Sequence, residues 1–225
     1  MSGHTEQSNE HGAGREDVSD VPVELRRKHH DNGGSKILVI VGAILIVMVG
    51  LLWWEGRRLW CECGQSFLLA GDVNSSHNSQ HLFDWYSLSH LLHGVFFYWI
   101  FKGVWKGLLR RKWVWGYGFA AAMLLEAGWE VLENSQLVID RYREATAALG
   151  YSGDSIVNSG GDMFSCAVGF IIAGLIGWRM SVVVFLAVEL LMLWLVKDNL
   201  ILNVLMLIYP IEAIKEWQIA PVSGS

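Results

Sequence analysis

Residues 113–133 read WVWGYGFAAAMLLEAGWEVLE. The run carries no charge until Glu126, and then places Glu126, Glu130 and Glu133 at i, i+4 and i+7. On a helix that spacing puts all three carboxyl groups on one face. At a rise of about 1.5 Å per residue, Glu126 lies roughly 10 Å further along the axis than Glu133. A run of this length and apolarity approaches the ~20 residues needed to cross the hydrocarbon core of a bilayer. Ionisable groups at such depth are costly unless partnered, and by default they mark a functional site.

The neighbouring apolar stretches repeat the pattern. A span from about Ser87 to Phe101 opens with His90 and His93, spaced i, i+3. Another, from about Ile156 to Trp178, opens with Asn158 and Asp162 at i, i+4, with Asp154 one turn earlier. Successive spans run antiparallel. The start of one, the end of the next and the start of the third therefore share a membrane side, whichever way the chain is inserted. Three polar stripes at one depth predict a single pocket, because lone stripes facing lipid are untenable.

The rest of the chain fits a polytopic helical bundle. Residues 1–35 are polar and aperiodic, and read as a disordered cytoplasmic tail. Ile37 to Trp54 is uncharged and forms the first span; Met180 to about Val196, with Glu189 inside it, forms a fifth. The last apolar stretch, Leu200 to Pro210, is too short to cross. Leu200, Val204, Leu207, Ile211 and Ile214 follow a helical spacing that predicts one interfacial helix. The expectation is an all-α membrane protein of about five transmembrane helices, with a membrane domain over 36–218 and a short polar tail over 219–225.

Composition agrees. The 225 residues are 52% hydrophobic and 17% charged, against about 25% charged in soluble domains. A net charge of -5 supplies no basic surface for nucleic acid, and membrane lipids are the expected partners. Of twelve tryptophans, ten lie within or beside apolar runs, as an interfacial aromatic belt requires. Lys102, Lys106, Arg110, Arg111 and Lys112 form a basic loop, and Arg26, Arg27, Lys28 and Lys36 precede the first span. The positive-inside rule then puts the N-terminus in the cytoplasm and the C-terminus and pocket on the periplasmic side of the inner membrane. Arg57 and Arg58 run against that tally.

The pocket residues allow three chemistries. His90, His93, Glu130 and Asp162 could hold a divalent metal that activates water. The spacing matches neither H-E-x-x-H nor Glu-x-x-His, so no known metal motif carries that reading. Without metal, Glu126 or Glu130 could act as base, with His90 or His93 as shuttle and Asp162 as orienting group. The plain alternative is that these groups only hydrogen-bond helices together. Glu126, the deepest, should be neutral unless a cation or a protonated histidine pairs with it.

His81, Asp84, Asp154, Arg141 and Arg143, outside the spans, and Asn158, at the start of one, are candidates for substrate contact. Arginine forks suit phosphate, although such clusters are more often solvated surface. Asp84 is also a natural helix cap. Three cysteines make no disulfide framework. Cys61 and Cys63 are too close for an easy disulfide, and two thiols alone are an incomplete metal site.

Taken together, several strings carry a resemblance. They are Asn-Ser-Ser-x-Asn-Ser-Gln-His at Asn74–His81, Asp-Trp-Tyr at Asp84–Tyr86 and Ser-His-x-x-His-Gly at Ser89–Gly94. Further on come Glu-Ala-x-Trp-Glu-x-x-Glu-Asn-Ser at Glu126–Ser135, Asp-Arg-Tyr-Arg at Asp140–Arg143, Gly-Asp-Ser-Ile-x-Asn-Ser at Gly153–Ser159, and Asp-Asn-Leu-x-Leu-Asn at Asp198–Asn203. From about Leu59 to Gln218 the chain resembles a bacterial family of multi-pass inner-membrane proteins, uncharacterised protein family 0314 (domain of unknown function 2585). The resemblance implies a cell-membrane location and supplies no activity. A more distant likeness to VanZ-like membrane proteins rests on a histidine, a glutamate and an aspartate in successive helices, and implies a cell-envelope role. The function expected is action on a lipid or lipid-linked envelope precursor; the alternatives are a permease with a proton or ion relay, and a non-catalytic scaffold.

Overall fold

The computed structural model describes residues 23–65, 67–146 and 150–220. Its elements are α1 (Val23–Trp54), α2 (Ser87–Gly103) prolonged by a π-helical turn (Val104–Leu108), α3 (Trp115–Glu133), α4 (Gln136–Ala145), α5 (Ile156–Val196), α6 (Leu200–Ile208) and α7 (Glu212–Ile219). Among the described residues no β-strand forms beyond an isolated bridge between Leu69 and Phe83. The all-helical expectation holds. The first helix starts at Val23, ahead of Ser35 where the tail was expected to end; residues 1–22 and 221–225 lie outside the described residues.

Two helices are long and apolar enough to cross a membrane by length and composition: Gly34–Trp54 and Ile156–Val196. The others fall short for visible reasons. α2 has 17 residues, about 25 Å of helix, and α3 carries three glutamates.

The 41-residue α5 is not straight. Gly177 sits at φ 76°, ψ 171°, a backbone conformation that only glycine adopts without strain. Beyond it the chain turns back. Asp154 and Asn158 at one end of α5 and Val196, Lys197 and Asp198 at the other line one cavity. A straight helix would hold those ends roughly 60 Å apart. Each arm is therefore about 30 Å long, matching the two stretches read from sequence as separate spans.

Packing is closest between α2 and the first arm of α5. A Cβ on Gly94 would collide with the Cys166 carbonyl, and one on Gly169 with the Leu91 carbonyl. The two backbones touch because both positions lack a side chain. Behind this seam lies a core of Val95, Tyr98, Ala122, Met123, Cys166 and Phe170, with Met48 and Leu52 of α1 packed on. The outer faces stay apolar: Leu38, Ile46, Phe96, Leu124, Phe164, Leu175, Leu186 and Leu190 are all exposed.

Two expectations on local structure change. The polar segment between Glu133 and Ser155, which joins two of the expected spans, contains α4, whose Val138, Ile139, Tyr142 and Ala145 are buried. The predicted single interfacial helix is two helices. Pro210 lacks an N–H and pushes Tyr209 into extended backbone (φ -138°, ψ 91°), ending α6. Glu189, buried in the second arm, caps α6 instead of facing lipid: Leu200 N and Ile201 N donate to its carboxylate at 3.0 and 3.2 Å.

Candidate functional site

α2, α3 and the first arm of α5 deliver their polar stripes to one place. His90 Nδ1 lies 2.6 Å from Glu126 Oε1 and 3.2 Å from Glu130 Oε1. His93 Nδ1 lies 3.0 Å from Glu126 Oε2. Glu126 and Glu130 are fully buried, so the charge on Glu126 is met from both imidazoles. Glu130 is different. Neither of its oxygens accepts a hydrogen bond among the described residues, and Glu133 Oε2 and Asp162 Oδ1 are likewise without one. Buried acceptors left in this state cost free energy and call for a proton or a cation.

The donor set suits a cation. His90, His93 and Glu126 offer ligand atoms within 4.8 Å of one another, and so do His90, Glu130 and Glu133. Glu133 thus joins the centre in a place the sequence reading gave to Asp162, which belongs to neither triad.

Above this centre opens a cavity of about 770 Å³, lined by His90, Glu133, Asp162, Asp84, Asp154 and Asp198 among others, with Lys197 on its rim. Three tyrosines hold its carboxylates. Tyr86 Oη donates to Asp198 at 3.2 Å, Tyr151 Oη to Asp154 at 3.0 Å, and the Tyr142 hydroxyl lies 3.0 Å from Glu133 Oε1 and 2.9 Å from Asn203. Burial pushes the Asp154 carboxyl up to about 7, helped by the Glu133 and Asp84 carboxylates. Burial likewise raises Asp198 to about 6, against the hydrogen bonds it accepts from Asn199 and others.

Several candidates have structural duties. Asp84 accepts from Ser79 N, Tyr86 N and Ser87 N at 2.9, 2.7 and 3.1 Å, fixing the start of α2. Asn158 Nδ2 donates to the His81 carbonyl at 2.8 Å, holding the preceding loop on α5. Arg141 binds the Leu207 carbonyl and Arg143 the Tyr151 carbonyl, at 2.8 and 2.6 Å; neither lines the cavity. Arg57, the misplaced charge of the topology tally, donates to the Ser152 carbonyl at 2.6 Å, and Arg58 pairs with Glu62. His81 also stands outside the cavity, beside His77, Cys61 and Cys63. The sequence reading missed that grouping; the signal was C-x-C at Cys61 followed by H-x-x-x-H at His77 in one polar segment.

Fold and site define an all-helical protein with a buried histidine–carboxylate centre beneath an acidic cavity. The chain belongs to a family of proteins of unknown function, DUF2585, whose model matches residues 52–220. It is similar to the UPF0314 protein of Sphingopyxis alaskensis, 44% identical over 180 residues that cover 80% of this chain and 93% of the relative. It is 45% identical to the Agrobacterium fabrum UPF0314 protein over 179 residues (80% and 88% of the two chains). A Rhizobium etli (strain CFN 42) UPF0314 protein is 46% identical over 201 residues (89% and 98%). No solved structure matches.

Proposed function

We propose that this is a multi-pass inner-membrane protein whose buried centre acts on a lipid or lipid-linked cell-envelope precursor. The carrying observation is the His90–Glu126 pair at 2.6 Å, buried beneath a cavity of about 770 Å³ lined by carboxylates in a bundle with an apolar exterior. In this reading α1, α2, α3 and the two arms of α5 cross five times. Trp54 and Trp194, at the cavity end, and Trp115 and Trp178, at the other, are exposed as two aromatic belts would require. The basic 102–112 loop and the reversal beside Arg179 lie opposite the cavity, which supports a cytoplasmic N-terminus and a periplasmic cavity. A periplasm-dependent reporter fused after Ser155 should be active and one fused after Arg111 silent; the reverse pattern overturns the orientation.

The chemistry follows from charge. Glu126 orients His90, while Glu130, 3.2 Å from the same ring, and Asp162 each keep a buried oxygen without a hydrogen bond, which a proton or a cation would satisfy. An acidic cavity favours a hydroxylated or cationic head group, or a phosphate accompanied by a divalent cation. Beneath the centre, Val95, Tyr98, Met123, Cys166 and Phe170 form a packed apolar floor, which weighs against the permease alternative.

The test is complementation of a deletion strain, with membrane abundance measured in parallel and envelope lipids followed by mass spectrometry. Glu126→Gln, Glu130→Gln and His93→Gln should each accumulate normally yet lose function, and the deletion should accumulate a precursor. Full complementation by all three at normal abundance would leave only a scaffold role.

A further inference from the structure

Outside the cavity centre, the loop between α1 and α2 gathers four metal-ligating side chains from two short stretches. Cys61 Sγ lies 3.5 Å from His77 Nδ1, Cys63 Sγ 3.8 Å from His81 Nε2, and the two ring nitrogens 3.4 Å from each other. All four ligand atoms fall within 4.8 Å of one another. Zinc takes nitrogen at ~2.0–2.1 Å and thiolate sulfur at ~2.3 Å, so the ligands of a tetrahedral site stand ~3.3–3.8 Å apart. The three measured separations are edges of such a tetrahedron. We propose that Cys61, Cys63, His77 and His81 form a closed Cys2His2 site for a structural zinc ion.

The surroundings fit that assignment. Cys63 N points to Cys61 Sγ and Gln65 N to Cys63 Sγ, each at 3.5 Å, the amide–sulfur contacts that stabilise thiolate. Trp60 and Phe67 stand edge-on to His81 at centroid distances of 6.1 and 5.0 Å, and Phe67 also flanks His77 at 6.1 Å. These rings wall the cluster with apolar surface. Phe67 N approaches His81 Nδ1 at 3.4 Å; zinc on Nε2 would leave the ring proton on Nδ1, so this long contact would be lost on loading. With four protein ligands no position is left open for substrate, which separates this site from the His90 centre.

The ion would hold the cavity rim. His77 and His81 bracket the segment that runs into Ser79 and Asp84. Ser155 N donates to the Ser79 carbonyl at 2.9 Å and Asn158 Nδ2 to the His81 carbonyl at 2.8 Å. Zinc would tie this docked segment to the end of α1 through Cys61 and Cys63.

The experiment uses full-length protein isolated in mild detergent with zinc as the only added metal. Elemental analysis should find about one zinc per chain that survives desalting. A Cys61→Ser/Cys63→Ser variant should lose it, while Glu126→Gln/Glu130→Gln should keep it. Cobalt loading should give the intense visible bands of a tetrahedral thiolate site, absent from the cysteine variant. Should that variant fail to fold, alkylation of the wild type decides: both thiols should resist until a chelator is added. Equal labelling with and without chelator, a zinc content of the Glu126→Gln/Glu130→Gln protein that does not fall when Cys61→Ser/Cys63→Ser is added, or a Cys61–Cys63 disulfide in the intact mass would each overturn the site.

Discussion

At one end of the helices α2, α3 and the first arm of α5, His90, Glu126 and Asp162 are buried together; at the other end of the same helices, Tyr98 and Phe170 are, with the partly buried Phe119 packed against them. The aromatic end is held by edge-on ring contacts: Tyr98 and Trp115 meet Phe170 at 5.1 and 5.5 Å, and Trp113 meets Tyr98 at 5.8 Å. Such contacts depend on shape and area, and add about 0.5–1.5 kcal/mol per pair beyond burial. The cavity end is held by directional contacts between ionisable groups, with Glu130, Glu133 and Asp162 incompletely hydrogen-bonded. Buried ion pairs offset their own desolvation poorly and are weak evidence for stability. The difference teaches that the aromatic end and the glycine seam hold the bundle, while the cavity end carries buried charge that adds little to its stability.

The comparison can be broken at the seam itself. Gly94→Val or Gly169→Val would drive a side chain into the facing backbone carbonyl, and should abolish accumulation of folded protein. Gly128→Ala, where nothing lies within 4 Å, should be neutral. Normal abundance of both valine variants would show that α2 and α5 do not meet there. Next in size, Phe170→Ala empties the aromatic end and should cost about 3–5 kcal/mol. That loss should appear as a lower melting temperature in detergent, whereas Glu126→Gln should move the melting temperature little.

The smallest effect concerns pH. Asp154 holds its proton up to about 7 in the folded chain, against 3.8 as the ordinary value. A carboxyl raised on folding contributes stability that is complete below about pH 4 and is lost as pH rises toward 7. The loss is at most a few kcal/mol and is shared with neighbouring carboxylates. Asp154→Asn should flatten thermal stability between about pH 4 and 7, leaving the variant the more stable of the two at pH 8. An unchanged slope would place the buried protons elsewhere in the cavity.

Much of this arrangement was written in residue spacing. The i, i+3 and i, i+4 placement of His90/His93, Glu126/Glu130 and Asn158/Asp162 follows the helical period, and alternating direction brings their ends together. Apolar runs marked α1, α2, α3 and both arms of α5, because burial or lipid must cover every face of such a helix. Spacing could not say how far each helix turns about its own axis. That rotation decided that Glu133 groups with Glu130 and His90 as possible ligands of one ion, while Asp162 lines the cavity beside them. The α4 helix escaped notice because its buried face is short and flanked by charge; Tyr142, which holds Glu133, went unseen with it. Pro210 was visible in the sequence, yet the apolar period ran through it and concealed the break.

The sequence by itself determined an all-helical chain with polar groups at one end of apolar helices, because helical period and hydrophobicity are local properties. Only the tertiary structure decided what meets what: the return of α5 at Gly177, the pairing of both histidines with Glu126, and the meeting of Cys61 and Cys63 with His77 and His81. Those contacts join residues far apart in the chain, and loop closure and helix packing, which no local period encodes, bring them within reach.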